Sequence, residues 1–447
     1  MEAMKKVMVL GAGRSSSSLI QELLNRSHSN GWKVAVGDVD LALAEQKCAG
    51  HPASEAFAID PTNDAARNQR IQAADLVISM VPAFLHPQIA SVAIEAGIPV
   101  ITPSYVGEEM QALHERALEK GVLVLNEIGL DPGIDHLSAK QVLDRIEEEG
   151  GKMLEFESYC GGLIAPDYDD NPWHYKFSWN PRNVVLAGQA GPATFLAGGA
   201  HRLVPPHRVF QNARTISVGG VAFEGYPNRD SVAYVGKYGL DGIQTLVRGT
   251  LRGEGFCDGW DALVQLGCVR DDVSMKWPIG SSWADWLRSF VPALWAEEGL
   301  ESAVLRVARC SEESLSRLRW LGLFDEQNGP RTTEGTPAQI IQELLEAKWK
   351  LKPQDRDMIV MWHRFLYERD GERHEVTSSL RLEGRDSVYT GMADTVGWPM
   401  AIAAEAILNG KFNKAGVEVP LHRDYYNIIL PELERMGVRF EETHEKC

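Results

Sequence analysis

The first 130 residues alternate short apolar runs with stretches of helical spacing, and this alternation constrains the chain more than any other feature. Residues 6–10 (KVMVL), 34–36, 57–59, 76–79, 100–102 and 122–125 read as strands. Leu19, Ile20, Leu23 and Leu24 recur at helical spacing within residues 15–25, and residues 41–49 suit a second helix. Each strand is followed by enough chain to cross back over the sheet, so the strands run parallel with helices on both faces. The expected fold class is α/β, with a Rossmann-type parallel sheet domain at the start of the chain.

The first turn of that domain is Gly11-Ala12-Gly13-Arg14-Ser15-Ser16. Gly11 permits the tight turn, Gly13 lets backbone approach a pyrophosphate, and the helix start supplies amide donors and a positive dipole. Ser16 stands where the usual fingerprint has a third glycine, and a small residue there still allows close helix–strand packing. Gly11, Ala12, Gly13, Arg14 and Ser15 are therefore the expected cofactor-binding turn. Asp38 ends the second strand (VAVGD). A carboxylate there accepts from both ribose hydroxyls and repels a 2′-phosphate, which favours NAD over NADP. Asp38 is alternatively a helix cap, and Asp40 competes for either role. Loops at strand carboxyl ends line ligand sites in such sheets, which singles out 79–82 (SMVP) and 102–105 (TPSY).

Composition limits the partners. Lys and Arg number 45 against 62 Asp and Glu, a formal charge of −17 that disfavours nucleic acid and anionic membrane surfaces. No apolar run approaches the roughly 18–20 residues of a membrane-spanning helix, and the start of the chain has no room for a signal peptide's apolar core. The six cysteines lack the tight spacing of a zinc or redox motif, which suits free thiols in a reducing cytoplasm. His86, His136 and His174 belong to no set with metal-ligand spacing, so no metal is expected.

Beyond the sixth strand comes NEIGLDPGIDH (126–136), dense in turn formers, then a helix over 134–149. Residues 152–159 alternate as a half-buried strand should and lead into Cys160-Gly161-Gly162, read as a flexible turn. Residues 256–350 read as a helical insertion whose aromatics fill a core, and 357–368 with 375–382 as a hairpin turning at Asp370-Gly371. Residues 393–408 form an apolar helix.

The segments TPSYV, NEIGLDPGIDH, SYCGGL, APDYDDNPWHYKFSW, FEGYPNRDS and VRGTLR resemble those of the saccharopine reductases, the glutamate-forming saccharopine dehydrogenases. The resemblance runs from residue 7 to about 267 and resumes near 393 with TVGWPMAIAAEAIL; residues 268–350 match less clearly. It implies reversible oxidative deamination of a secondary amine, with hydride passing from the carbon attached to nitrogen to a nicotinamide, and water then releasing glutamate and aminoadipate semialdehyde. It implies substrate contacts at Ser104, Tyr105, Asp131, Arg229, Arg248 and Thr250. Ser79, Val81, Leu130, Asp131 and Ser178 would lie near the cofactor. Asp131, Cys160 and Tyr105 correspond to residues considered for the acid–base step. Arg229 is alternatively an ion-pair partner of Asp230, Arg248 one of several solvated arginines, and Cys160 a small buried hydrophobe. NADP-using fungal members carry arginine where this chain has Asp38, which leaves the cofactor open between NAD and NADP.

Two enzyme readings and one other remain at this point: a saccharopine reductase, another amine dehydrogenase of the superfamily acting on carboxynorspermidine or lysine, and a non-catalytic NAD-binding sensor. The expected organisation is a discontinuous nucleotide domain (1–130 and 393–447), a mixed α/β substrate and dimerisation domain (131–255 and 351–392) and the 256–350 insertion. A cytoplasmic homodimer acting on a small amino-acid substrate is the expected form.

Overall fold

The computed structural model describes residues 4–189 and 191–447. Two compact units emerge, residues 1–150 with 382–440 and residues 151–381 with 441–447. Strands are numbered along the chain.

The first unit is built on seven parallel strands: β1 (Lys5–Leu10), β2 (Trp32–Asp38), β3 (Ser54–Ala58), β4 (Leu76–Ser79), β5 (Val100–Ile101), β6 (Leu123–Leu125) and the late β17 (Gly416–Glu418). Their order is β17-β6-β5-β4-β1-β2-β3, a doubly wound sheet whose strand order reverses beside β1. β3 starts earlier than its apolar residues suggest, because it is the sheet edge and its first residues stay half exposed. One sheet face packs Met8, Leu10, Val77, Val100 and Val124 against Ile89, Ala93 and Ile94 of the His86–Glu95 helix. Across the other, the Ser17–Asn30 and Gly391–Leu408 helices come so close that a Cβ on Gly397 would lie 2.4 Å from the Leu19 nitrogen.

The Ile134–Glu148 helix belongs to this first unit, although the sequence places the domain boundary at 130. It is held there by the Arg423–Arg435 helix, where Tyr426 donates to Asp144 at 2.7 Å and Arg423 pairs with Glu148 at 2.5 Å.

The second unit carries a nine-stranded mixed sheet. Its path is β10 (Arg214–Val218), β11 (Val221–Pro227), β12 (Thr245–Arg252), β7 (Lys152–Ile164), β15 (Asp357–Arg369), β16 (Glu372–Glu383) and β18 (Phe440–Lys446), with β8 (Ala193–Ala197) and β9 (Ala200–Val204) branching from β12. The expected 357–382 hairpin is β15–β16. The last residues, expected with the nucleotide domain, lie instead in this unit because β18 lines the sheet edge, where Cys447 N donates to the Arg373 carbonyl at 2.9 Å.

Cys160-Gly161-Gly162 is no turn. It continues β7 through the centre of the sheet, all three residues paired with β15 and Cys160 also with β12. A Cβ on Gly161 would sit 2.4 Å from the Leu251 carbonyl oxygen, so this glycine serves close strand approach rather than flexibility. Residues 256–350 form six helices between Phe256 and Lys348, with a short ladder of β13 (Met275–Lys276) and β14 (Glu334–Gly335). Trp173, Tyr175, Phe256, Trp260 and Trp349 pack edge-to-face and stacked in one core, as expected of filler rather than ligand boxes.

Candidate active site

Gly11 has φ 105°, and a Cβ there would meet the Met80 carbonyl oxygen at 2.8 Å, so only glycine fits this turn. Its amide donates to the Gly37 carbonyl at 2.8 Å, and the next amide, of Ala12, donates to Asp38 Oδ2 at 2.6 Å. Asp38 Oδ1 accepts from the Asp40 amide at 3.0 Å. Asp40, not Asp38, caps the Leu41–Cys48 helix by accepting from Ala42 N and Leu43 N. Asp38 is thereby assigned to the turn itself, its negative charge fixed beside Ala12.

Around Gly13 a Cβ would meet nothing within 4 Å, and Gly13 and Arg14 are exposed while Ser15 is half buried. Ser16 Oγ donates back to the Gly13 carbonyl at 2.8 Å and Ser17 Oγ to the Arg14 carbonyl at 3.2 Å. Among the described residues no side chain caps the amides that open this helix. An open glycine cradle followed by an uncapped helix start suits a pyrophosphate. The residues present fit a dinucleotide.

Ser79, at the end of β4, is fully buried, and Val81 packs on the sheet core. Ser79 Oγ lies 2.8 Å from His86 Nδ1, and Ser104 Oγ lies 2.8 Å from the other ring nitrogen, Nε2, with Thr102 Oγ1 at 3.1 Å. Burial lowers the His86 pKa to about 4, so the ring is neutral at ordinary pH. In the unfolded chain this histidine titrates near 6.5 and takes up a proton that the folded ring refuses until about pH 4. Its stabilising contribution is thus complete above pH 6.5 and is lost as pH falls towards 4, at most ~3 kcal/mol. We expect thermal denaturation midpoints to fall over that window, and to fall less steeply in His86→Gln.

The next loop holds the acid–base candidates. Tyr105 Oη donates to Asp131 Oδ1 at 2.9 Å. Glu127 brackets this tyrosine: its amide donates to the Ser104 carbonyl at 3.1 Å, and its Oε1 accepts from the Val106 amide at 3.1 Å. Glu127 Oε2 in turn lies 2.8 Å from His136 Nε2, both side chains being buried. His136 lies in the first turn of the Ile134–Glu148 helix. Leu130 is buried beside the half-buried Asp131. Gly133 closes the loop at φ 145°, where a Cβ would fall 2.0 Å from the Gly129 carbonyl oxygen.

In the second unit, Arg248 and Thr250 of β12 stand in parallel register with Ser158 and Cys160 of β7. Arg248 is not solvated: it is 4% exposed, with its guanidinium 4.3 Å from the centre of the Tyr234 ring. Thr250 Oγ1 accepts from Asn228 Nδ2 at 2.7 Å. Arg229 is exposed. Its neighbour Asp230 accepts from Val232 N and Ala233 N, capping the short Val232–Tyr234 turn. Cys160 is buried in mid-strand, and Ser178 is buried one residue past a bridge between Phe177 and Lys350.

A family model described as the saccharopine dehydrogenase NADP binding domain matches residues 7–125, and one described as the saccharopine dehydrogenase C-terminal domain matches 129–438. The chain belongs to the saccharopine dehydrogenase family. It is 33% identical over 98% of its length to the NADP(+), L-glutamate-forming saccharopine dehydrogenase of Schizosaccharomyces pombe, covering 99% of that protein. The corresponding Saccharomyces cerevisiae enzyme is 34% identical, again with 98% of this chain and 99% of that protein covered. The solved apo structure of the yeast L-Glu-forming enzyme superposes with a TM-score of 0.87 at 32% identity, covering 99% of this chain and 100% of that one.

In this chain neither His86, which lacks metal-ligand spacing, nor Glu127 stands out from the sequence. Among the described residues no group of three or more His, Cys, Asp and Glu side chains is placed to hold a metal, and no helix is long and apolar enough to cross a membrane. The signal for His86 lay in its position, just past β4, rather than in any ligand pattern.

Proposed function

We propose that the chain interconverts saccharopine with L-glutamate and aminoadipate semialdehyde by nicotinamide-dependent oxidation at the carbon–nitrogen bond. The observation that carries this reading is the Tyr105–Asp131 hydrogen bond, set in the same unit as a glycine turn fitted for a dinucleotide. The names of the fungal relatives support the substrate class. The bound nicotinamide would supply the hydride acceptor. The protein's own residues then have separate tasks. Gly11, Ala12, Gly13, Arg14 and Ser15 hold the pyrophosphate, while Ser79, Val81, Leu130 and Ser178 border the rest of the cofactor. Ser104, Thr250, Arg229 and Arg248 bind the substrate, the arginines meeting its carboxylates. Asp131, oriented by Tyr105, takes the proton from the substrate's secondary ammonium and then holds the attacking water. Cys160 enters this reading as a small packing residue in the sheet beside Thr250 rather than as the acid.

The relatives are named for NADP(+); for this chain we propose NAD as the preferred cofactor, on the charge of Asp38. Two unit charges ~5 Å apart at an effective dielectric of ~20 interact by about 3 kcal/mol. Solvent at this half-buried position reduces the effect to about 1–2 kcal/mol. Saccharopine oxidation should therefore be about 10-fold more efficient with NAD than with NADP. Asp38→Asn keeps an acceptor for Ala12 N and should narrow that ratio by raising the NADP efficiency. A higher kcat/KM with NADP in the unmodified chain would contradict the proposed preference. The same reading takes a cytoplasmic homodimer, the compartment being in keeping with the six free cysteines.

A further inference from the structure

Lys47 is a cation without an anion. It stands in the last turn of the Leu41–Cys48 helix, and helical side chains lean towards the start of their own helix. Half buried, it reaches the first residue of the neighbouring Ser17–Asn30 helix, where Nζ donates to Ser17 Oγ. Ser17 Oγ donates onward to the Arg14 carbonyl at 3.2 Å, so two hydrogen bonds join the ammonium to the glycine turn. Among the described residues no carboxylate pairs with Lys47, and Ser17 Oγ is the one acceptor its ammonium meets.

That isolation is unusual in a chain with 62 Asp and Glu against 45 Lys and Arg. Even exposed lysines find carboxylates: Lys276 meets Glu334 at 3.0 Å, and Lys352 meets Asp170. Lys47 is more withdrawn from water than either and has none. Burial without a counter-charge disfavours the ammonium and pulls its pKa below that of an ordinary lysine. The end of its own helix favours a cation, but the side chain carries the charge away from there to the start of another helix, where the dipole is positive. The nearest place for a compensating anion is the open cradle at Gly13, part of the same turn, within the stretch matched by the NADP binding domain model.

We propose that Lys47 is a further determinant of cofactor affinity: from behind the turn its charge attracts the pyrophosphate, and through Ser17 it holds the Arg14 carbonyl in place. Lys47 is on this account a positioning residue that need not touch the cofactor. The proposal rests on the reading of the glycine turn as a dinucleotide site. NAD and NADP share the pyrophosphate, so Lys47 acts on both alike, whereas Asp38 separates them.

The test measures the affinity of the full chain for NADH and NADPH by fluorescence titration. Lys47→Met keeps the apolar stem and its length, while Lys47→Arg keeps the charge. The methionine variant should bind both reduced cofactors about 10-fold more weakly, and the arginine variant should stay within about 3-fold of the unmodified chain. A purely structural Lys47 would give the two variants the same affinity. The second measurement uses the unmodified chain and decides the matter if the methionine variant does not fold. The pH at which Lys47 loses its proton, followed by nitrogen-15 NMR and assigned by the signal missing from Lys47→Arg, should rise by about 1 pH unit when NADH saturates the site. Methionine-variant affinity within about 2-fold of the unmodified chain, equal losses in both variants, or an unmoved deprotonation midpoint overturns the proposal and leaves the proposed reaction standing. An unmodified chain that binds neither NADH nor NADPH overturns the dinucleotide reading, and this proposal with it.

Discussion

Arg248→Met should lower kcat/KM for saccharopine about 100-fold, ~3 kcal/mol of transition-state binding, with the cofactor KM unchanged within about 2-fold. The size follows from burial. At 4% exposure, with its charge over the Tyr234 ring, this guanidinium acts where water screens little, and a carboxylate that loses it there loses a charge-assisted contact. Methionine preserves the apolar stem and much of the volume, so the fold should survive the exchange. Arg248→Lys should recover only a minor part of the loss, because an ammonium lacks the planar fork that meets a carboxylate bidentately. Steady-state kinetics alongside thermal denaturation separate the outcomes. Unchanged saccharopine kinetics with a lowered melting temperature would make Arg248 a structural residue and withdraw it from substrate recognition.

Asp131→Asn should reduce kcat by about 100- to 1,000-fold, the range for removing a positioned general base. An asparagine oxygen can still accept from Tyr105 Oη, now 2.9 Å from Oδ1, so the loop keeps its shape while the group loses its basicity. The limb of the pH–rate profile that belongs to this carboxylate should vanish with it. Tyr105→Phe should cost less, since it removes one hydrogen bond to the carboxylate and leaves the carboxylate itself in place. An unchanged kcat and profile in the asparagine variant would take Asp131 out of the proton transfers.

The nucleotide half of the fold was legible because its information is local. Short apolar runs and the helical spacing of Leu19, Ile20, Leu23 and Leu24 register on a neighbouring stretch of chain, and strands β1, β2 and β4 fall where those patterns put them. The seventh strand was not legible: Gly416–Glu418 is three residues long and joins β6 from the far end of the sequence. Cys160-Gly161-Gly162 was misread because glycine pairs usually loosen a chain, whereas here Leu251 on the neighbouring strand leaves no room for a Cβ. Local patterns carry no record of what crosses from another strand.

The site divides in the same way. Gly11 and Asp38 could be named from the turn and strand they end, but which aspartate capped the helix depended on backbone direction after β2. His86 stayed hidden because Ser79, Thr102 and Ser104 are gathered around it only when strands β4 and β5 lie side by side. The formal charge of −17 also acquires a narrower meaning. With screening over ~8 Å at physiological salt, a substrate bearing three carboxylates depends on a few local cations. Arg229 and Arg248 are the residues assigned to that task.

Product analysis decides directly which carbon–nitrogen bond of saccharopine is oxidised. The purified chain is incubated with saccharopine and either NAD or NADP, reduced cofactor is followed at 340 nm, and the products are separated and identified. The expected products are L-glutamate and aminoadipate semialdehyde, formed in equal amounts and matched by reduced cofactor. Lysine and 2-oxoglutarate in their place, or no reduction of either cofactor, would contradict the proposed reaction.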